Sequence, residues 1–328
     1  MILDAKLLSD LQSCPRKLLL STDYEVLRWR AKSLLDACLR IGIQRITNGT
    51  DPAAAATDAR ATFLQSAANP GLDAPAGMDT YKLAKDYCAM LETILRATTK
   101  WSLPALSDSP VVHLNSTTGW QPLAASGVDG ELHRIITVDR WDEATLSREL
   151  HSWYCVGDLC ATRRPMTIHA IEIGQTRNGR RASAWARGWK HPAMANLRMR
   201  FVREDGSQFK GWKPMYLADY PNSNVDVWVE QMHAEGVAEA LVHHIPVALP
   251  SYSILSGTLS QMLLEARRAS ILLSERSSAP WASQPMSRGA CDGLVPCPWQ
   301  HACHDTDVTD PATTGLYRIK SNSILHVA

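Results

Sequence analysis

Four cysteines near the two ends of the chain have the number and spacing of a metal or iron–sulfur site. Cys14 lies near the start, and Cys291, Cys297 and Cys303 lie close together near the end. Four thiolates complete a tetrahedral zinc site or bind an iron–sulfur cluster. A centre that used all four would close a loop of nearly the whole chain. The residues between them would therefore have to fold so that both ends meet.

Two carboxylates in the middle of the chain form a second candidate site. Gly157-Asp158 is followed after thirteen residues by Glu172, near the end of an apolar run. Carboxylates on neighbouring strand ends bind a divalent ion through oxygen, and such an ion activates water and offsets charge on a phosphate. The alternative for Glu172 is a carboxylate that faces water at the end of its strand.

A basic stretch follows these carboxylates. No acidic residue occurs between Glu172 and Glu204, and Trp185 and Trp189 lie within this interval. Its basic residues are Arg177, Arg180, Arg181, Arg187, Lys190, Arg198, Arg200 and Arg203. Cations neutralise phosphates and aromatic rings stack on bases, so the pattern favours single-stranded nucleic acid. The alternative is a solvated hairpin whose counter-charges come from elsewhere in the fold.

Length and composition are those of an ordinary globular protein. The 328 residues are 45% hydrophobic and 20% charged, with a formal net charge of +1. We find no apolar run of membrane-spanning length and no signal-peptide pattern, and therefore expect a cytoplasmic protein without a membrane partner. In that compartment cysteines are expected to be metal ligands or buried thiols rather than disulfides.

Hydrophobic periodicity predicts helices in the first third of the chain and strands in the middle. The predicted helices cover 3–20, with a new helix starting at Pro15, and 29–46, 53–68, 81–98, 225–243 and 259–273. The predicted strands cover 111–114, 132–138, 151–159, 167–173, 197–203, 209–217 and 324–327. No internal repeat or clear linker divides the chain, so one unit is expected.

Together these motifs resemble the PD-(D/E)XK nuclease superfamily, and within it the RecB-like members with an iron–sulfur clamp. Those members include CRISPR-associated exonucleases and the nuclease domain of AddB-type helicase–nucleases. The matching cysteine elements are Cys14-Pro15-Arg16-Lys17 and Cys297-Pro298-Trp299-Gln300-His301-Ala302-Cys303. Val156-Gly157-Asp158 matches the Gly-x-x-Asp-like strand, Glu172-Ile173-Gly174 aligns with the Asp/Glu-x-Lys strand, and Gln231 matches a glutamine on the following helix.

The resemblance implies an α/β (mixed α+β) fold with a restriction-endonuclease-like core, in which helices flank a central mixed sheet. The implied units are a helical part at 1–100, a sheet core at 110–245, a C-terminal helix and cysteine cluster at 246–304, and a tail at 305–328. A 4Fe–4S cluster would be held by Cys14, Cys291, Cys297 and Cys303. Mg²⁺ or Mn²⁺ would bind Asp158 and Glu172, with Asp36, Gln175 and Gln231 beside them.

The implied activity is a metal-dependent DNA nuclease, an exonuclease on single-stranded ends, that acts in recombination, repair or DNA processing. The DNA would contact Arg177, Arg180, Arg181, Trp185, Arg187, Trp189 and Lys190. Three features depart from the family pattern. The expected lysine is Gly174, the family histidine is missing from 29–46 and leaves only Asp36 as a replacement, and five residues rather than two separate Cys291 from Cys297.

The departures leave two alternatives open. One is a catalytically degenerate nuclease fold that binds DNA or assembles with protein partners in a DNA-processing complex. The other is an unrelated globular scaffold in which zinc joins the cysteines, with His301 or His304 as a substitute ligand.

Overall fold

A computed structural model of the chain describes residues 1–26, 29–73, 79–174, 185, 225–234, 236–274, 297, 299, 302–303, 311–314 and 317–319. The α-helices of these residues are α1 (Ala5–Ser13), α2 (Pro15–Asp23), α3 (Ala31–Thr47), α4 (Pro52–Ser66), α5 (Thr80–Ala97), α6 (Glu143–Leu150), α7 (Trp153–Thr162), α8 (Val225–Ala234), α9 (Val237–Ala240) and α10 (Tyr252–Ser274). The strands are β1 (Ile2–Leu3), β2 (Tyr24–Val26), β3 (Trp29–Arg30), β4 (Leu72–Asp73), β5 (Leu106–Ser107), β6 (Val112–His113), β7 (Gly119–Trp120), β8 (Ala125–Gly127), β9 (Leu132–Val138), β10 (Met166–Glu172), β11 (Val242–Val247) and β12 (Tyr317–Ile319). The fold is therefore a mixed α+β fold, as the sequence predicts.

A five-stranded mixed sheet forms the centre of the fold, in the order β11-β10-β9-β8-β5. β9 and β10 are parallel, and the other neighbours in this sheet are antiparallel. Parallel neighbours need a crossover connection, usually helical, and α6 and α7 provide it here. The carboxyl ends of β9 and β10 therefore lie at the same edge of the sheet.

Helices cover both faces of this sheet. On one face, α3 and α5 share the main hydrophobic core with Ile171 and Ile173. On the other face, α7 contributes Cys155 and Leu159 to a second core with Ile168. Successive strand residues point to opposite faces, so the odd-numbered residues of β10 face α3 and α5, and the even-numbered residues face α7.

The helical prediction for the first hundred residues is confirmed. Cys14 ends α1 and precedes α2, and Pro15 occupies the first turn of α2, where its missing N–H removes no intrahelical bond. In α3 the apolar residues that face the core are Leu34, Leu35, Cys38, Leu39 and Ile43, and all are buried. Cys88 is buried in the main core.

Two predicted elements are wrong. Residues 151–159 were expected to form a strand, but α7 covers most of them, since the crossover between β9 and β10 needs a helix here. The helix expected at 225–243 is interrupted at Gly236, whose φ of 66° is a left-handed conformation that suits glycine. The end of that run then pairs with β10 as β11, where Pro246 is tolerated on an edge strand.

Several predicted features fall outside the described residues. These are the strands at 197–203, 209–217 and 324–327. Within the described ranges, no helix combines the length and apolar character needed to cross a membrane.

The contact between Gly157 and Trp120 gives a stability prediction. A Cβ on Gly157 would lie 2.4 Å from Cζ2 of Trp120, whose ring is fully buried. Gly157→Ala should therefore lower the free energy of unfolding by about 1 to 3 kcal/mol, the usual cost of overpacking. Urea unfolding followed by tryptophan fluorescence measures this change.

The matched control is Gly257→Ala in α10, where nothing lies within 4 Å of an added Cβ. That change should raise helix stability by up to about 1 kcal/mol. Equal effects of the two substitutions would contradict the packing argument.

Candidate functional site

The two ends of the chain meet, as the cysteine pattern requires. Cys14 and Cys303 are buried, and Cys297 is partly buried. Nη1 of Arg16 donates to the backbone oxygen of Cys303 at 3.1 Å, although the two residues are 287 positions apart. The first and last parts of the cysteine motif are therefore neighbours. Cys291 lies outside the described residues.

A shared apolar cluster and a strand pair hold these ends together. Leu19 and Leu20 of α2 pack with Trp299 and Ala302, and Cys303 belongs to the same cluster. β2 pairs with β12 in antiparallel register. Burial of these side chains stabilises the contact by the hydrophobic effect. The segment around Cys14 is therefore fixed against the C-terminal segment by packing as well as by the Arg16 hydrogen bond.

Cys14, Cys297 and Cys303 do not form a compact group of three ligand atoms. Among the described residues, the ligand atoms of Asp129, Glu131 and His133 all lie within 4.8 Å of one another. The sulfur atoms of Cys14, Cys297 and Cys303 do not meet this criterion. A tetrahedral zinc ion with Zn–S bonds of about 2.3 Å brings its sulfurs within about 4 Å of each other. A cluster of several iron atoms spreads its ligands further apart.

Asp158 is a fully buried carboxylate on α7 that accepts three hydrogen bonds. Trp120 Nε1 donates to Oδ1 at 2.7 Å, and the backbone N–H groups of Leu123 and Ala124 donate to Oδ2 at 3.1 and 2.9 Å. Burial raises the pKa of Asp158 to about 6, against these hydrogen bonds, which lower it. The arrangement fastens α7 to residues 120–124 and gives Asp158 a structural role.

Glu172 and Asp36 occupy separate surroundings. Glu172 ends β10, is 7% exposed and accepts a hydrogen bond from the backbone N–H of Trp141. Asp36 of α3 accepts a hydrogen bond from Oγ1 of Thr137. Thr137 is paired with Ile171, the residue before Glu172, so Asp36 and Glu172 lie on opposite faces of the sheet. These two carboxylates accept hydrogen bonds from different groups, the Trp141 backbone for Glu172 and the Thr137 hydroxyl for Asp36.

The remaining predicted site residues are only partly described. Gly174 has φ of 72°, a left-handed conformation in which the lysine of the family motif would be strained. Trp185 is fully buried and its Nε1 donates to the backbone oxygen of Glu172 at 2.8 Å, so it is not available to stack on a base. Gln231 falls on α8, without a described side chain. The following residues lie outside the described part of the chain: Gln175, Arg177, Arg180, Arg181, Arg187, Trp189 and Lys190.

A row of three histidines crosses the sheet, and the sequence analysis missed it. His133 of β9, His169 of β10 and His244 of β11 lie on the α3–α5 face. His133 Nδ1 lies 3.0 Å from His169 Nε2, and His169 Nδ1 lies 2.7 Å from His244 Nδ1. The sequence carried a signal for this row, because each of the three strands has one histidine that faces this side of the sheet. Whether the three histidines become neighbours depends on the strand register.

Asp129 lies at one end of the histidine row and sets the direction of the hydrogen bonds along it. Oδ2 of Asp129 lies 3.0 Å from Nε2 of His133. Burial, together with the neighbouring His244 and His133, lowers the pKa of His169 to about 3, so this ring is neutral. For Asp129, burial raises the pKa, but hydrogen bonds from the Glu131 backbone and from His133 outweigh it and leave the pKa below its ordinary value. The carboxylate therefore accepts a hydrogen bond from the N–H at Nε2 of His133, and each ring in the row donates its N–H toward Asp129.

The structural role of Asp158 gives the second prediction. Asp158→Asn replaces one acceptor oxygen by an NH₂ group that faces existing N–H donors. We expect the free energy of unfolding to fall by about 2 kcal/mol or more, because buried donors lose their partner. Urea unfolding measures the change, and Glu143→Gln on the exposed side of α6 is the control. A variant with native stability would show that the three hydrogen bonds do not stabilise the fold.

Comparisons with models of known protein families, with characterised proteins and with solved structures give no match. The proposals that follow rest on the residues and geometry of this chain.

Proposed function

We propose that the protein is a nuclease-fold subunit that binds single-stranded nucleic acid and holds a structural 4Fe–4S cluster between its two ends. The observation that carries the proposal is the meeting of Arg16 with Cys303 across 287 positions. It supports a centre formed by Cys14, Cys297 and Cys303, with Cys291 as the fourth ligand. The cluster would supply a covalent link between the ends of the chain and no redox chemistry.

The surroundings of Asp158 favour binding over hydrolysis at the predicted metal pair. Its two oxygens already accept three hydrogen bonds, and they point at residues 120–124 rather than at Glu172. The absence of the motif lysine at Gly174 points the same way, because that lysine stabilises charge on the attacked phosphate. Of the alternatives, the degenerate nuclease fold agrees best with this geometry.

The nucleic-acid part of the proposal rests on the stretch that follows β10. Eight basic residues and no acidic residue lie between Glu172 and Glu204 in the sequence. Trp185 is removed from the proposed contact surface because it is buried, and Trp189 remains the aromatic candidate. Partners in a DNA-processing complex would be compatible with this function.

A metal-dependent DNA nuclease is the second candidate. Glu172 favours it, since a carboxylate that is 7% exposed at the end of a strand offers the oxygen ligands that a divalent cation binds. Such an enzyme would use Mg²⁺ or Mn²⁺ to cleave single-stranded ends.

The cluster proposal predicts iron and sulfide in protein purified without air. We expect about four of each per chain and a broad absorption near 400 nm, roughly as thiolate-ligated clusters show. Cys14→Ala and Cys303→Ala should each remove most of the iron. Cys88→Ala is the matched control, because burial raises the pKa of Cys88 to about 12 and keeps it a neutral thiol. Colourless protein with one zinc per chain would reject the cluster in favour of the zinc scaffold.

The binding proposal predicts affinity for labelled single-stranded DNA that falls steeply with salt. Arg180→Ser with Arg181→Ser should weaken binding at least tenfold and lower the slope of log K against log salt by about 1.4, or about 0.7 per lost phosphate contact. Fluorescence anisotropy measures both quantities. The control pair is Arg267→Ser with Arg268→Ser, two adjacent arginines on the exposed side of α10.

An equal loss of DNA affinity in the two double variants would show that the basic stretch is not the binding surface. The same labelled strand incubated with Mn²⁺ should stay intact. Cleavage that is abolished by Glu172→Gln would replace the binding proposal by the nuclease.

A further inference from the structure

A compact group of metal-ligating side chains lies where β8 turns into β9, away from the cysteines and from Glu172. Asp129, Glu131 and His133 have ligand atoms that all lie within 4.8 Å of one another. Asp129 is exposed, Glu131 is partly buried, and His133 is only 5% exposed. The group is therefore open to solvent on the carboxylate side and anchored in the core on the imidazole side.

We propose that Asp129, Glu131 and His133 bind one divalent transition-metal ion of the Mn²⁺ type. One imidazole and two carboxylates suit such an ion, whereas thiolates select softer metals. This inference goes beyond the proposed function, which assigns no role to these residues. It also stands apart from the predicted metal pair Asp158 and Glu172.

Gly127 allows two of the ligand atoms to approach the backbone closely. A Cβ at this position would lie 2.3 Å from Oδ1 of Asp129 and 2.7 Å from Nε2 of His133. The backbone of Gly127 is not in the left-handed region, so its conformation does not require glycine. What requires it is room beside the two atoms that the proposal assigns as ligands.

Arg164 braces the turn that carries the two carboxylates. Its Nε donates to the backbone oxygen of Gly130 at 2.6 Å, and Nη2 donates to the backbone oxygen of Glu131 at 2.9 Å. Nη1 donates to Oγ of Ser126 at 2.9 Å. These bonds go to carbonyl and hydroxyl oxygens, so the guanidinium fixes the turn without pairing with the carboxylates. A ligand set on a fixed turn needs little reorganisation to bind an ion.

The histidine row supplies the outer partner that metal-bound histidines usually have. A metal-bound imidazole donates its other N–H to a neighbour. Here the neighbour of His133 Nδ1 is His169 Nε2, and His169 Nδ1 in turn contacts His244. With Nε2 of His133 on the ion, its proton moves to Nδ1, and the protons of His169 and His244 shift in the same direction. The three rings keep three protons, and one N–H appears at Nε2 of the exposed His244.

The test is titration of the full chain with MnCl₂, in which electron paramagnetic resonance counts the free ion. Mn²⁺ is chosen because cysteine thiolates bind it poorly. We expect one bound ion per chain whose affinity falls at least tenfold in Asp129→Asn, in Glu131→Gln and in Gly127→Ala. Glu143→Gln on α6 should leave the affinity unchanged. Circular dichroism verifies that each variant folds.

His169→Phe separates an organised site from a pair of surface carboxylates. The substitution keeps a ring in the core but removes both nitrogens, so His133 loses its outer partner. We expect the Mn²⁺ affinity to fall about tenfold or more. Two surface carboxylates alone would bind equally well in this variant, and that outcome would overturn the proposal.

Absence of a bound ion, or binding that survives both Asp129→Asn and Glu131→Gln, would also overturn it. The measurement uses no DNA, and its readout does not depend on whether the cysteines hold iron. Its failure is therefore distinct from failure of the proposed function.

Discussion

The buried carboxylate of Asp158 is the interaction on which much of the fold depends. A buried charge is tolerated only when hydrogen bonds replace its lost water, and three donors do so here. The bonds join α7 to residues 120–124, which lead into β8. Gly157 allows the Trp120 ring to approach α7 closely enough for its Nε1 to reach Asp158. Because α7 is part of the crossover between β9 and β10, the same bonds hold the parallel pair in place.

Fixing β9 beside β10 creates two polar regions at opposite ends of these strands. At the carboxyl ends, Glu172 and Asp36 lie on opposite faces and bond to different backbone and side-chain groups. Toward the amino ends, the histidine row lies on one face and reaches Asp129 at the β8–β9 turn. A row of hydrogen-bonded imidazoles needs adjacent strands in register, and the parallel pair together with β11 provides it. The fold thus brings several side chains that could bind a metal ion together at the start of β9.

The contact between the first and last parts of the chain is a second constraint on the fold. It depends on packing between segments that are far apart in sequence. α2 and the segment around Cys303 bury a common apolar cluster, and β2 pairs with β12. Apolar packing, strand pairing and the Arg16 hydrogen bond hold these segments together, so a metal centre there would add a covalent link to an existing contact. This explains why residues so far apart in sequence share one environment.

The sequence by itself determined the elements that depend on local periodicity. α3 and α5 carry their apolar residues at helical spacing, α4 is rich in alanine, and β9 and β10 are long enough for their apolar pattern to be read. The apolar run at 151–159 was too short to distinguish helix from strand by periodicity, and the crossover between parallel strands decided it. The cysteine pattern likewise predicted that the chain ends meet, because four thiolates bind one metal centre only if the fold brings them close together.

Tertiary structure alone decided what the polar side chains do. Asp158 is predicted from the sequence as a metal ligand, and the fold places its carboxylate beside three hydrogen-bond donors. Strand alternation, which the sequence pattern alone did not assign to a face, places Glu172 and Asp36 on opposite faces of the sheet. The row of His133, His169 and His244 was invisible in sequence, because a hydrogen bond between strands depends on register, and register is set by the whole sheet.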